Sequence, residues 1–170
     1  MVTGSGAQNR DEEVFAHKPF RVIADYLAKQ GIASLRYDDR GVGQSTGNQA
    51  GCTSADFAED AACGLSWLKS SGKFNQVGIL GHSEGGLIAF MLGAEGKADF
   101  LVSMAGPGIK GDSLLVEQQN ALFKLKGIPS NVSVSTLRKS MATQPGNVWL
   151  EYFMDYDPRP DLERITIPVM

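Results

Sequence analysis

The stretch VGILGHSEGG, residues 77–86, decides how this chain is read. An apolar run ends at Gly81, a serine stands two positions on, and the glycines Gly85 and Gly86 lead into the helix-like GGLIAFMLGAEG. Gly81-His82-Ser83-Glu84-Gly85 is a G-x-S-x-G pattern lying between a strand and a helix, the setting in which a serine can be presented on a sharp turn. Gly81 and Gly85 answer crowding, because neighbours two residues either side of such a turn have little room for a Cβ. The turn projects the Ser83 hydroxyl above the sheet. It also aims the positive end of the following helix at any charge developing on a carbonyl oxygen. The plainer reading is a glycine-rich turn whose serine only caps a helix.

Working outward, segments of two kinds alternate. MVT reads as the end of a strand, followed by the polar loop GSGAQNRDE. KPFRVIADYLAKQG places Phe20, Ile23, Ala24, Leu27 and Ala28 on one helical face, with Gly31 as its stop. IASLRY reads as a short strand before the turn DDRGVGQSTGN. TSADFAEDAACGLSWLKSSG opens on an N-cap Ser or Thr and carries Phe57, Ala61, Leu65 and Leu68 at helical spacing. QVGIL and DFLVSMAG are continuous apolar runs of the kind buried on both faces of a sheet. The rhythm predicts an α/β fold: a mostly parallel sheet with helices on both faces and ligands at the carboxyl ends of its strands.

Residues 1–106 are read as this core. From 107 to 161 the pattern becomes amphipathic helices with no strand between them: GDSLLVEQQNALFKLKG, SVSTLRKSMATQ and NVWLEYFMDY. A helical cap over the strand ends is the expectation, packing against a sheet face the alternative. Residues 162–170, with ITIPVM, begin a further core strand.

Composition narrows the function classes. With 170 residues, 42% hydrophobic and 21% charged, and a net charge of −3, the chain has the make-up of one ordinary globular domain. It has no Lys/Arg-rich stretch to neutralise phosphates, so no nucleic-acid partner is expected. No apolar run is long enough to span a membrane, and MVTGSGAQNRDEE lacks the apolar segment of a signal peptide. Cys52 and Cys63 lack metal-site spacing and read as two buried or half-buried thiols. No glycine is followed by the Lys of a phosphate loop, and no cofactor or metal is implied. An elbow needs a second N–H donor from the loop after an earlier strand, and Ser5 or Gly6 is positioned to pair with the N–H of Glu84.

GSGAQNRDE, LRYDDRGVGQSTG, GILGHSEGG and YDPRPDLERITIPV, in that order, make the chain resemble the α/β-hydrolase superfamily, and within it a group of bacterial hydrolases close to the serine esterases. The resemblance implies a helical cap insertion and an acyl-enzyme formed on Ser83 from a small-molecule ester or related acyl substrate. It also implies structural roles for Asp38 and Arg40 in the DDRGVGQS turn, with Asp39 as the exposed middle member. His82, adjacent to the serine, is read as a polar neighbour and not as the base, and the Glu84 carboxylate as lining the pocket. Phe123, Trp149, Tyr152 and Phe153 are candidates for pocket lining or for helix core.

Superfamily triads run Ser, then Asp or Glu, then His. Here the two histidines, His17 and His82, both precede Ser83, and Asp155, Asp157 and Asp161 precede the strand that the acid should follow. The expectation is therefore a fragment, incomplete at both ends, with acid and base beyond it, and with little activity alone. A non-catalytic binding module, a peptidase, an acyltransferase and a peroxidase are the alternatives. Oligomeric state and compartment stay open.

Overall fold

The apolar run of the opening stretch becomes strand β1 (Ile79–His82), which pairs in parallel with β2 (Leu101–Met104), Gly81 lying opposite Ser103. A computed structural model describes residues 1–142 and 146–170. Single parallel bridges extend the row on both sides, Val2 with Gly81 and Leu101 with Val169. Beyond Val2, the Met1 ammonium donates to the Leu35 carbonyl at 2.8 Å. The backbone order across the sheet is thus 35, 2, 81, 103 and 169.

Three of the five expected strands are weaker than their composition suggests. MVT and ITIPVM each contribute one bridge. IASLRY forms no ladder among the described residues, and Ile32 to Ser34 are exposed. A ladder needs a neighbour along its whole length, and among the described residues this segment is joined to MVT by one hydrogen bond, from Met1 to Leu35. QVGIL starts its ladder late, because Asp99 holds Val77: its carboxylate accepts the Val77 N–H at 2.7 Å and its own N–H donates to the Val77 carbonyl at 3.0 Å.

The helices follow their sequence signals more closely. α1 (Pro19–Lys29) begins on a proline, whose missing N–H costs nothing in a first turn, and buries Phe20 and Ala24. It stops before Gly31, at φ +77°. α2 (Ser54–Ser70) is capped by Asp56, which accepts from the N–H and the hydroxyl of Thr53. α3 (Glu84–Ala94) is apolar all round, and every residue from Glu84 to Gly93 is buried. Leu87, Ile88 and Leu92 form the centre of the core, each contributing roughly 2 kcal/mol by leaving water.

Beyond Pro107 come α4 (Gly111–Leu125), α5 (Val134–Ala142) and α6 (Val148–Asp155). α4 crosses α6 so closely that a Cβ on Gly111 would lie 1.8 Å from the Phe153 carbonyl oxygen. Arg138 ties the three together, donating to Asp112 at 2.9 Å and to Asp155 at 2.7 Å. α6 also packs on α2, and Phe153 joins the main core. α7 (Arg159–Arg164), a helix not anticipated, packs on α3 and spans the boundary expected at residue 161.

Candidate active site

Ser83 sits at the carboxyl end of β1 with φ +53° and ψ −116°, a backbone state that side-chain-bearing residues rarely hold. The surrounding backbone holds it there. The Ser83 N–H donates to the Met104 carbonyl at 2.8 Å, His82 donates to the Val2 carbonyl at 3.1 Å, and the Ser83 carbonyl accepts from Gly86 at 2.9 Å. A Cβ on Gly81 would meet the Gly85 carbonyl oxygen at 2.0 Å, and one on Gly85 would meet the Val2 carbonyl oxygen at 2.1 Å. These contacts are the physical reason for glycine at both positions. Ser83 is half-buried, and its hydroxyl has no hydrogen-bond partner among the described residues.

The loop carrying Ser5 and Gly6 lies beside this turn: a Cβ on Gly4 would stand 3.3 Å from the Ser83 Cβ. Ser5 and Gly6 are exposed, and their N–H groups donate to no described residue. Glu84 opens α3, so its N–H has no intrahelical acceptor. The loop is pinned at both ends by carboxylates. Glu12 accepts from the Gly4 N–H at 2.7 Å, and Asp39 accepts from the Gln8 N–H at 2.9 Å.

Asp39 is therefore not the exposed middle member of its turn. It is half-buried and also accepts from the Thr3 hydroxyl at 2.9 Å. Burial raises its pKa to about 6; the Gln8 and Thr3 bonds oppose the shift, and the charges of Glu84 and Asp60 add to it. Asp38 beside it is buried and closes the turn by accepting from Arg10 and from the Gln44 N–H, bonds that hold its carboxyl well below the usual carboxylate range. Arg40 grips Asp60 through Nε at 2.7 Å and Nη2 at 2.8 Å, and lies over the Phe57 ring.

The Glu84 carboxylate likewise departs from expectation. It is 2% exposed and accepts from the Ser54 hydroxyl at 2.6 Å and the Trp149 indole N–H at 2.7 Å. It borders a cavity of about 20 Å³ that Gly4, Gly6, Asp39 and Phe57 line with it. Trp149 stacks on Phe153 and Tyr152 on Tyr156, and Phe123 is half-buried on α4.

Neither histidine is placed against the serine hydroxyl. His82 turns its Nδ1 to Glu12 at 2.8 Å, and His17 is exposed in a short turn paired with Val14. Glu12 escaped the sequence reading, since nothing in GSGAQNRDE marks it off from its acidic neighbours. Among the described residues no group of three His, Cys, Asp or Glu side chains could hold a metal ion, and no helix is long and apolar enough to cross a membrane. A larger cavity of about 650 Å³ lies among Leu35, Val77, Ile79 and Phe100, around the amino-terminal half of β1. In open parallel sheets ligands bind at the carboxyl ends, so it is not the site to which Ser83 points.

A family model described as serine aminopeptidase, S33, matches residues 18–145. Over its whole length the chain is 30% identical to esterase EstD of Thermotoga maritima and spans 44% of that protein. The Pyrococcus furiosus esterase Pf2001 superposes on 99% of the chain with a TM-score of 0.68 at 20% identity, the chain covering 57% of it. The α/β hydrolase GrgF from Penicillium superposes with a TM-score of 0.61 at 17% identity, over 99% of this chain and 68% of its own. The sheet order and the strand–turn–helix corner are those of an incomplete α/β-hydrolase fold, and the chain belongs to the serine aminopeptidase S33 family.

Proposed function

We propose that these 170 residues form the nucleophile-bearing part of a serine hydrolase that cleaves carboxylic esters. The observation that carries this reading is Ser83 itself, strained at φ +53° on a strand-to-helix turn, with a hydroxyl that makes no hydrogen bond among the described residues. Ser83 Oγ attacks the acyl carbonyl, its proton passes to a base, and the carbonyl oxygen becomes an oxyanion. The N–H of Glu84 and that of Ser5 or Gly6 receive that charge. The alcohol then leaves with a proton, and water cleaves the acyl-enzyme. With His82 engaged by Glu12 and His17 in an exposed turn, base and acid come from residues outside these 170. The segment bearing α4 to α6 acts as a cap, and Trp149 fastens it to the residue after the nucleophile.

The name of the Thermotoga relative favours an ester substrate, and the family description keeps an aminopeptidase substrate as the second reading. The complete gene product, assayed with p-nitrophenyl acetate and with amino-acid p-nitroanilides, decides between them. Ser83→Ala is expected to lower turnover by about 10⁶, and these 170 residues alone to react poorly with a serine-directed phosphonate. Full activity in Ser83→Ala, or equal labelling of the 170 residues and the complete product, sinks the reading. No labelling of the complete product would support a non-catalytic binding module instead.

A further inference from the structure

We infer that Glu12 is a positioning residue that sets the spacing of the two oxyanion donors, an inference that rests on the hydrolase reading above. A single oxygen, Oε1, accepts from the Gly4 N–H at 2.7 Å and from His82 Nδ1 at 2.8 Å. Gly4 immediately precedes the Ser5–Gly6 donors, and His82 lies two positions before the Glu84 donor. One buried atom therefore joins the two pieces of chain that make the hole.

A carboxylate only accepts, so both partners donate, and His82 carries its proton on Nδ1. This gives the imidazole beside the nucleophile a positional task in place of a catalytic one. Gly4 is wedged into the same junction: a Cβ there would lie 3.2 Å from Glu12 Oε1, 3.3 Å from the Ser83 Cβ and 3.4 Å from His82 Nδ1.

The backbone of Glu12 indicates how firmly the tether is set. Glu12 holds φ +52°, a conformation unfavourable for a glutamate, while its N–H donates to the Asn9 carbonyl at 2.8 Å. That turn folds the carboxylate back under the loop. Between Gly4 and the bond from Gln8 to Asp39, residues Ser5 to Ala7 are exposed, and among the described residues the hydrogen bond they make is that of the Ser5 carbonyl, which accepts from the Gln8 side-chain amide at 3.4 Å. Glu12 thus fixes the Ser5 and Gly6 N–H groups from the Gly4 end, and Asp39 holds the loop from the Gln8 end.

Two substitutions separate reach from charge. Glu12→Gln keeps an oxygen at the same reach, whereas Glu12→Asp keeps the charge and withdraws the oxygen. In the complete gene product with p-nitrophenyl acetate, Glu12→Gln is expected to stay within about threefold of wild-type kcat. Glu12→Asp is expected to lose about 10- to 100-fold in kcat with KM within about twofold, since small misplacements of transition-state groups cost that much. Wild-type kcat in Glu12→Asp, or a loss confined to KM, overturns the proposal. A second measurement needs no activity. In the complete gene product, ¹⁵N shifts should show His82 protonated at Nδ1, and the Gly4 amide should exchange at least about 10-fold more slowly than in Glu12→Asp. An unprotected Gly4 amide in the wild type overturns the tether. Activity surviving Ser83→Ala overturns the hydrolase reading instead.

Discussion

The head of α3 and the far end of α4 are both helical and both rich in apolar residues, yet they are held in opposite ways. From Glu84 to Gly93 every residue is buried, and the backbone of residues 2–3 approaches Gly85 within the space of a missing methyl group. In α4 only Gly111 and Asp112 are buried, and Leu122 and Leu125 stand 57% and 84% exposed. Backbone contacts and glycines hold the first region in a strained turn. The second is joined to its neighbours largely by side chains: Arg138 to Asp112 and Asp155, and Asn120 to Ser130 and Val132. A nucleophile must sit within a fraction of an ångström of its target, so rigidity belongs at the elbow. If the segment bearing α4 is the proposed cap, its looser attachment suits a role away from the reacting atoms.

Substitutions that challenge this contrast have graded effects. Gly85→Ala should be the most damaging, because its Cβ would meet main-chain oxygens that no side chain can move aside. A loss of about 3 kcal/mol is expected by urea unfolding, and a loss under about 1 kcal/mol would show the elbow to be softer than described. Trp149→Phe sharpens the comparison at the point where the two regions meet. It leaves the buried Glu84 carboxylate with Ser54 alone, at a cost of about 1–2 kcal/mol in the same assay, and an unchanged midpoint would mean that the indole bond does not fasten α6 to α3.

Asp39→Asn tests the loop beside the elbow through pH. Its folded pKa of about 6 lies above the unfolded value, so its favourable contribution is complete below about pH 4 and is lost as pH rises through 6. The melting temperature of the Asn variant should therefore gain a few degrees on the wild type between pH 4 and 7. A pH-independent difference would show that burial does not perturb Asp39. Leu125→Ala should do least, changing stability by no more than about 0.5 kcal/mol although it removes more atoms than Gly85→Ala adds. A larger loss would reveal a covering for the end of α4.

Local patterns were legible wherever a residue's role depends on its neighbours in the chain. The Gly31 stop of α1 and the opening of α2 at Thr53 were readable for that reason, as was the serine corner between an apolar strand and an apolar helix. IASLRY was misjudged because composition cannot report whether a strand has a partner, and this one has hardly any. Asp39 was expected to be exposed and the Glu84 carboxylate to line the pocket, whereas Asp39 is half-buried and Glu84 fully buried. Their partners, Gln8 and Thr3 for one and Ser54 and Trp149 for the other, lie far off in sequence.

By itself the sequence determined the elbow: the order strand, glycine, serine, glycine, helix leaves a serine few other conformations, because sterics at adjacent residues act over one or two positions. Only the tertiary structure decided what surrounds it. Glu12 and His82 are separated by 70 positions and meet at 2.8 Å, and Trp149 reaches Glu84 across 65. Such pairings have no local signature, because they form only when the sheet and helices have brought distant backbone to one place.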